Sequence, residues 1–109
     1  ANVWRLTGAE CETRLVDWRA MPKDLGWFDC VLASDVLYEP RYAELVAKAI
    51  VGTLARGGVA LVADPGRLAA PAFLEEAREL GLEVRAPEEH PIAANGTTQR
   101  IRVYALRHR

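Results

Sequence analysis

The chain has 109 residues, 50% of them hydrophobic and 27% charged, with 14 basic against 15 acidic side chains and a formal net charge of −1. This is the composition of one ordinary globular domain with a modest core, and its near-neutral balance gives no global attraction to nucleic acid or to an anionic membrane. No apolar run reaches the roughly 18 residues of a membrane span, and two cysteines and two histidines without ligand-like spacing argue against a disulfide framework or a metal centre. A reducing, cytoplasmic setting is the expectation. No signal peptide is visible, and the opening "ANVW", with no initiator Met, reads as the middle of a longer chain.

In chain order, "CETRLV" (11–16) alternates apolar and polar residues, the pattern of a half-exposed edge strand, and ends at Asp17-Trp18. A loop carrying Pro22 and Gly26 follows. The almost unbroken apolar run Phe28 to Ala33 predicts a parallel strand covered on both faces, and it stops at Ser34-Asp35. Tyr42, Leu45, Val46, Ala49, Ile50 and Leu54 then recur at helical spacing, with Pro40 suited to the first turn and Gly57-Gly58 to the end. "VALVA" (59–63) predicts a second buried strand, cut by Asp64-Pro65-Gly66-Arg67. A second helix opens at Pro71, with Phe73, Leu74, Ala77 and Leu80 apolar and Gly81 at its C-cap. Residues 82–85 and 100–106 alternate like strands, and between them lies a loop rich in Pro, Ala, Asn and Gly.

The predicted order is strand, strand, helix, strand, helix, strand, strand, which defines an α/β fold. Strand–helix–strand units with short links require parallel pairing. Strands 28–33 and 59–63 should therefore be parallel neighbours. Strands 82–85 and 100–106 have no helix between them and should pair antiparallel, and strand 100–106 should also run antiparallel beside 59–63.

In open α/β sheets ligands bind beyond the carboxyl ends of the strands. Asp17-Trp18, Ser34-Asp35 with Tyr38, and Asp64 to Arg67 all fall there, and the loop "NGTTQR" (95–100) before the reversed last strand meets the same rim. Each cluster has a plainer explanation. Asp35 could cap the following helix, Asp64-Pro65-Gly66-Arg67 is an ideal type II turn, Trp18 could be a core-edge aromatic, and Asn95-Gly96 is a hairpin turn in its own right. Their convergence on one edge is what favours a site. Arg100, Arg102, Arg107 and Arg109, like Glu75, Glu76, Arg78 and Glu79, read as solvated faces.

At "FDCVLASDVLYEP" the chain resembles class I, seven-β-strand methyltransferases that use S-adenosyl-L-methionine, in the region after their fourth strand. The group with an Asp-x-x-Tyr motif, here Asp35-Val36-Leu37-Tyr38, methylates protein lysines. "LVDW" (15–18) is similar to the end of that group's third strand, and "ADPGR" (63–67) with "NGTT" (95–98) resembles the branch acting on the electron-transfer flavoprotein β-subunit. The resemblance implies a Rossmann-like, mostly parallel sheet with an antiparallel last strand. It implies catalytic roles for Asp35 and Tyr38, cofactor contacts at Asp17, Trp18, Ala33 and Ser34, and substrate contacts at Asp64, Arg67 and Thr97. S-adenosyl-L-methionine would be the cofactor and a protein the partner, with no metal, membrane or nucleic acid.

The family's sheet begins with a strand and a Gly-rich turn that cradles the cofactor, and none of the eight glycines here forms Gly-x-Gly. The chain is therefore expected to be the C-terminal half of one domain and, by itself, to bind the cofactor weakly or not at all. Within the family a small-molecule or RNA substrate is the rival to lysine. Outside it, a receiver-like signalling module also ends a buried strand with Asp and follows it with Pro. That module needs a paired early acid and a late Lys, where this chain has Asp17 alone and Asp64. A half-fold without activity fits either ancestry.

Overall fold

The computed structural model describes residues 20–22, 24–37 and 39–109. The expected strand 11–16, together with Cys11, Asp17, Trp18 and Tyr38, lies outside the described residues. Within them the elements are β1 (Phe28–Ser34), α1 (Tyr42–Thr53), β2 (Leu54–Asp64), α2 (Ala70–Glu79), β3 (Leu82–Val84), β4 (Glu88–Ala94) and β5 (Thr97–His108). Among the described residues no helix is long and apolar enough to cross a membrane.

The five strands form one mixed sheet in the order β1-β2-β5-β3, with β4 also paired to β5. β1 and β2, joined through α1, are parallel, with Cys30 opposite Val59 and Ser34 opposite Ala63. β5 runs antiparallel to β2, Ala60 facing Leu106 and Asp64 facing Arg102. Both pairings are those expected from the apolar runs. β3 also pairs antiparallel with β5, as expected of the last two predicted strands. The unexpected β4, antiparallel to β5 as well, makes the described sheet less parallel than expected.

Both helices pack on one face of this sheet. Ala43, Val46, Ala47 and Ile50 of α1 and Phe73 and Ala77 of α2 are buried against Leu54, Ala60 and Val62 of β2 and Tyr104 and Leu106 of β5. These positions recur at the helical period on the helices and at every second residue on the strands. At the far end His108 Nε2 lies 2.8 Å from the Leu54 carbonyl, tying the end of β5 to the start of β2.

Three features depart from the sequence reading. First, β1 is not covered on both faces: Leu32 is 73% and Phe28 45% exposed. It is the end strand of the described sheet, and the helices cover only one of its faces. Second, the expected loop before the last strand contains β4. Pro91 masks the strand signal, since it cannot donate to a ladder, but β4 is an edge strand and tolerates it. The β4–β5 turn is Asn95-Gly96, with φ of 51° and 76°, as a two-residue type I′ hairpin requires.

Third, α1 ends at Thr53 rather than at Gly57-Gly58. The Thr53 hydroxyl donates back to the Ala49 carbonyl at 2.7 Å, and the chain enters β2 at once. The β1–β2 register shifts between Phe28, opposite Leu54, and Cys30, opposite Val59. Gly58 sits in that irregularity, where an added Cβ would lie 2.6 Å from the Asp29 carbonyl oxygen. Close backbone approach, rather than helix termination, explains this glycine.

Gly58→Ala should therefore destabilise the protein by about 1–3 kcal/mol, the usual penalty for overpacking against backbone. Gly57→Ala, whose Cβ would meet nothing within 4 Å, should stay close to wild type. Urea denaturation of the two variants checks the contrast, and equal stabilities would contradict the close approach at Gly58.

Candidate functional site

β1 and β2 end level with each other. Ser34 faces Ala63, and the Asp35 amide donates to the Ala63 carbonyl at 2.9 Å as the last rung between them. Here β1 terminates because Asp35 adopts a left-handed backbone conformation, with φ of 50°. That region disfavours most residues by about 1–2 kcal/mol and is visited mainly by Gly, Asn and Asp. Two residues on, Leu37 is 1% exposed and anchors the outgoing segment in the core. Asp35 does not cap α1, whose N-cap position is Arg41, with no side-chain capping hydrogen bond.

The loop after β2 is built from within. Asp64 is 1% exposed, and its Oδ2 accepts hydrogen bonds from the amides of Gly66 (2.8 Å) and Arg67 (2.9 Å). Pro65 occupies the second turn position and Gly66, with φ of 100°, the third, as a type II turn requires. Asp64 Oδ1 is buried with no hydrogen-bond partner among the described residues. The turn thus holds a carboxylate inward and presents Arg67 outward.

Arg67 reaches across to Asp35. Its Nε donates to Oδ1 at 2.9 Å and its Nη2 to Oδ2 at 3.0 Å, a two-pronged pairing that occupies both carboxylate oxygens. Both side chains remain about half exposed, at 47% and 46%. The hydrogen bonds from Arg67 hold the Asp35 carboxyl below its ordinary value of 3.8, and the same contact raises the pKa of Arg67. A lowered carboxyl pKa means that the pair favours folding above about pH 4 and loses that contribution as pH falls through the lowered value. Half exposure keeps the contribution small.

Around the pair lies a polar cleft of about 360 Å³, floored by Ala63, Pro65 and Gly66 and walled by Ser34, Asp35, Arg67 and, from β5, Gln99 and Ile101. A second, apolar cavity of about 410 Å³ runs between β1 and α1, lined among others by Met21, Leu25, Leu32, Val46 and Ile50. Ser34 borders both.

Of the residues singled out in the sequence, Ser34, Asp35 and Arg67 come together at the cleft. Ala33 packs against the core and lines the apolar cavity instead. Asp64, expected to contact substrate, is buried beneath the turn, where its bonds to the Gly66 and Arg67 amides support it. Thr97 begins β5 at the hairpin, five residues beyond the level of Asp64, or roughly 17 Å of strand, and is not among the residues walling the cleft. Asp17, Trp18 and Tyr38 lie outside the described residues. Gln99 and Ile101 were missed, although their place on the strand after an Asn-Gly turn could have suggested them.

The basic strip is partly neutralised, because Glu89 on β4 accepts from Arg102 at 3.2 Å and Arg100 at 3.4 Å across the hairpin. Among the described residues no three His, Cys, Asp or Glu side chains are placed to hold a metal ion. Compared with known proteins, the chain matches no family model and has no significant match among curated proteins.

Chemically, the cleft offers one carboxylate on a constrained backbone, held by one guanidinium on a supported turn. Replacing Arg67 by Gln should raise the Asp35 pKa toward 3.8, measured by carbon-detected NMR titration of the carboxyl; an unchanged value would mean that the pair does not persist in solution. Asp64→Ala should cost about 1–3 kcal/mol in chemical denaturation by stripping two amides of their acceptor, and a neutral result would deny Asp64 its supporting role.

Proposed function

We propose that the chain serves methyl transfer from S-adenosyl-L-methionine, with a protein lysine amine as acceptor and Asp35 as the carboxylate at the reacting centre. The observation that carries the reading is the setting of Asp35. It heads the Asp-x-x-Tyr motif, stands just past the carboxyl end of a parallel strand in a strained conformation, caps no helix, and faces a polar cleft. Strained backbone at a cleft is the kind of feature that marks functional positions. The antiparallel last strand beside β2 and the helix-linked parallel pair accord with the resembled Rossmann-like methyltransferase sheet.

Once Arg67 releases it, the half-exposed Asp35 carboxylate would give the cleft a partner for a cationic ligand. The cofactor would supply an activated methyl group on a sulfonium. The chain's own groups have to hold a neutral amine in line with the methyl–sulfur bond and keep water away, so positioning and desolvation carry most of the rate. Asp35 does the positioning, through a charge-assisted bond to the amine or to the cofactor's ammonium group. Ser34, the preceding residue, also lines the cleft and brings a hydroxyl to it. On the strength of the resemblance alone, Tyr38 shapes the acceptor pocket, and Trp18 and Asp17 flank the adenosine. These 109 residues contain no Gly-x-Gly, so on this reading a Gly-rich turn for the cofactor would have to come from further sequence.

The test is methyl transfer from labelled cofactor by the full-length gene product. Asp35→Asn should lower the rate on the order of ten- to hundredfold, the value of a lost charge-assisted hydrogen bond of about 1.5–3 kcal/mol. The melting temperature should barely move, and Tyr38→Phe should show a smaller loss. Full activity in Asp35→Asn would sink the catalytic role.

A further inference from the structure

We infer that the Asp35–Arg67 pair is a latch: the guanidinium occupies the place on Asp35 that a cationic ligand has to take, so that Arg67 must swing away before an amine or ammonium group can bind. The inference rests on the reading of Asp35 as the cation-holding group of the cleft and adds how access to it is controlled.

Three observations carry it. The guanidinium binds both carboxylate oxygens, at 2.9 and 3.0 Å, so a second cation cannot take the same in-plane bonds while Arg67 stays. The left-handed backbone of Asp35 and its amide bond to Ala63 fix where its Cβ leaves the chain, so the carboxylate stays at the cleft whatever its rotamer. Arg67 can turn aside. Its backbone is held by Asp64, but its side chain is 47% exposed at the mouth of the cleft, where a guanidinium released from Asp35 passes into water. One partner is therefore a short side chain kept at the cleft by its backbone, and the other is a long, solvated arm on a supported turn.

The strength of the latch follows from its exposure. Half-exposed ion pairs are weak, so the closed form outweighs the open one by a small factor. A ligand that binds only the open form loses affinity by the fraction of molecules that are open. Removing the latch should therefore tighten cation binding about fivefold. The latch would exclude stray monovalent cations while yielding to a ligand held by further contacts.

The experiment titrates the 109-residue chain with n-butylammonium chloride, a mimic of the lysine side chain, against sodium chloride at matched ionic strength. The readout is the carboxyl carbon resonance of Asp35. Arg67→Gln should bind n-butylammonium about fivefold more tightly than wild type. Arg100→Gln removes the same charge from the hairpin without touching Asp35 and should behave as wild type. Equal affinity in wild type and Arg67→Gln would overturn the latch, as would an equal gain in Arg100→Gln, which would reduce the effect to net charge. A failure of methyl transfer in the full-length protein would remove the proposed activity without altering this outcome, because n-butylammonium competes for Asp35 with no cofactor present.

Discussion

The site depends on a single constraint of the sheet, the level ending of two parallel strands. Because β1 and β2 run in the same direction and stay in register to Ser34 and Ala63, their chains leave the sheet side by side, with the Asp35 amide bonded to the Ala63 carbonyl as the last shared contact. An antiparallel pair would have sent one of the two exits to the opposite edge. Parallel pairing gathers the exits of successive strands on one rim, which is why that rim collects polar groups. β5 reaches the same rim in the opposite direction and adds Gln99 and Ile101 from its beginning rather than its end.

On that rim three charged side chains divide the work according to burial. Asp64 is excluded from water, so its charge is tolerated only because two amides of its own turn donate to it, and one of its oxygens still lacks a donor among the described residues. It acts as structure. Arg67 and Asp35 are wet, so their bond contributes little to folding and can be broken without disturbing what lies beneath. The exposed pair therefore stands on backbones fixed by buried groups, Asp64 under Arg67 and Leu37 behind Asp35.

Much of this frame was legible in the sequence. The apolar runs point to β1 and β2, the helical periods to both helices, and Asn95-Gly96 to a hairpin, but the first strand of that hairpin is hidden because its Pro, Ala, Asn and Gly content reads as loop. Gly57-Gly58 misled because a glycine demanded by a close backbone approach looks, in one dimension, like a glycine that ends a helix. The exposure of β1 could not be read from its composition, which is that of a covered strand. Nor could the pairing of Asp35 with Arg67, separated by 32 positions, since it depends on the register of β1 on β2 as well as on the turn that Asp64 supports.

The identity of residue 35 is constrained twice, by backbone and by partner. A left-handed conformation at the end of β1 admits Gly, Asn or Asp with least strain. Gly would leave Arg67 with nothing to bind, and Asn would offer its fork one acceptor oxygen and an amide in place of two oxygens. Asp satisfies both demands, so its presence does not by itself require any chemistry on a substrate. What goes beyond structure is the position of the carboxylate, since a simple ion pair could have formed anywhere on the surface. Here it stands at the exit of a parallel strand, beside a hydroxyl and a polar cleft, with a counter-ion that can leave. The behaviour of that carboxylate once the guanidinium is gone separates a surface ion pair from a binding site awaiting its cation.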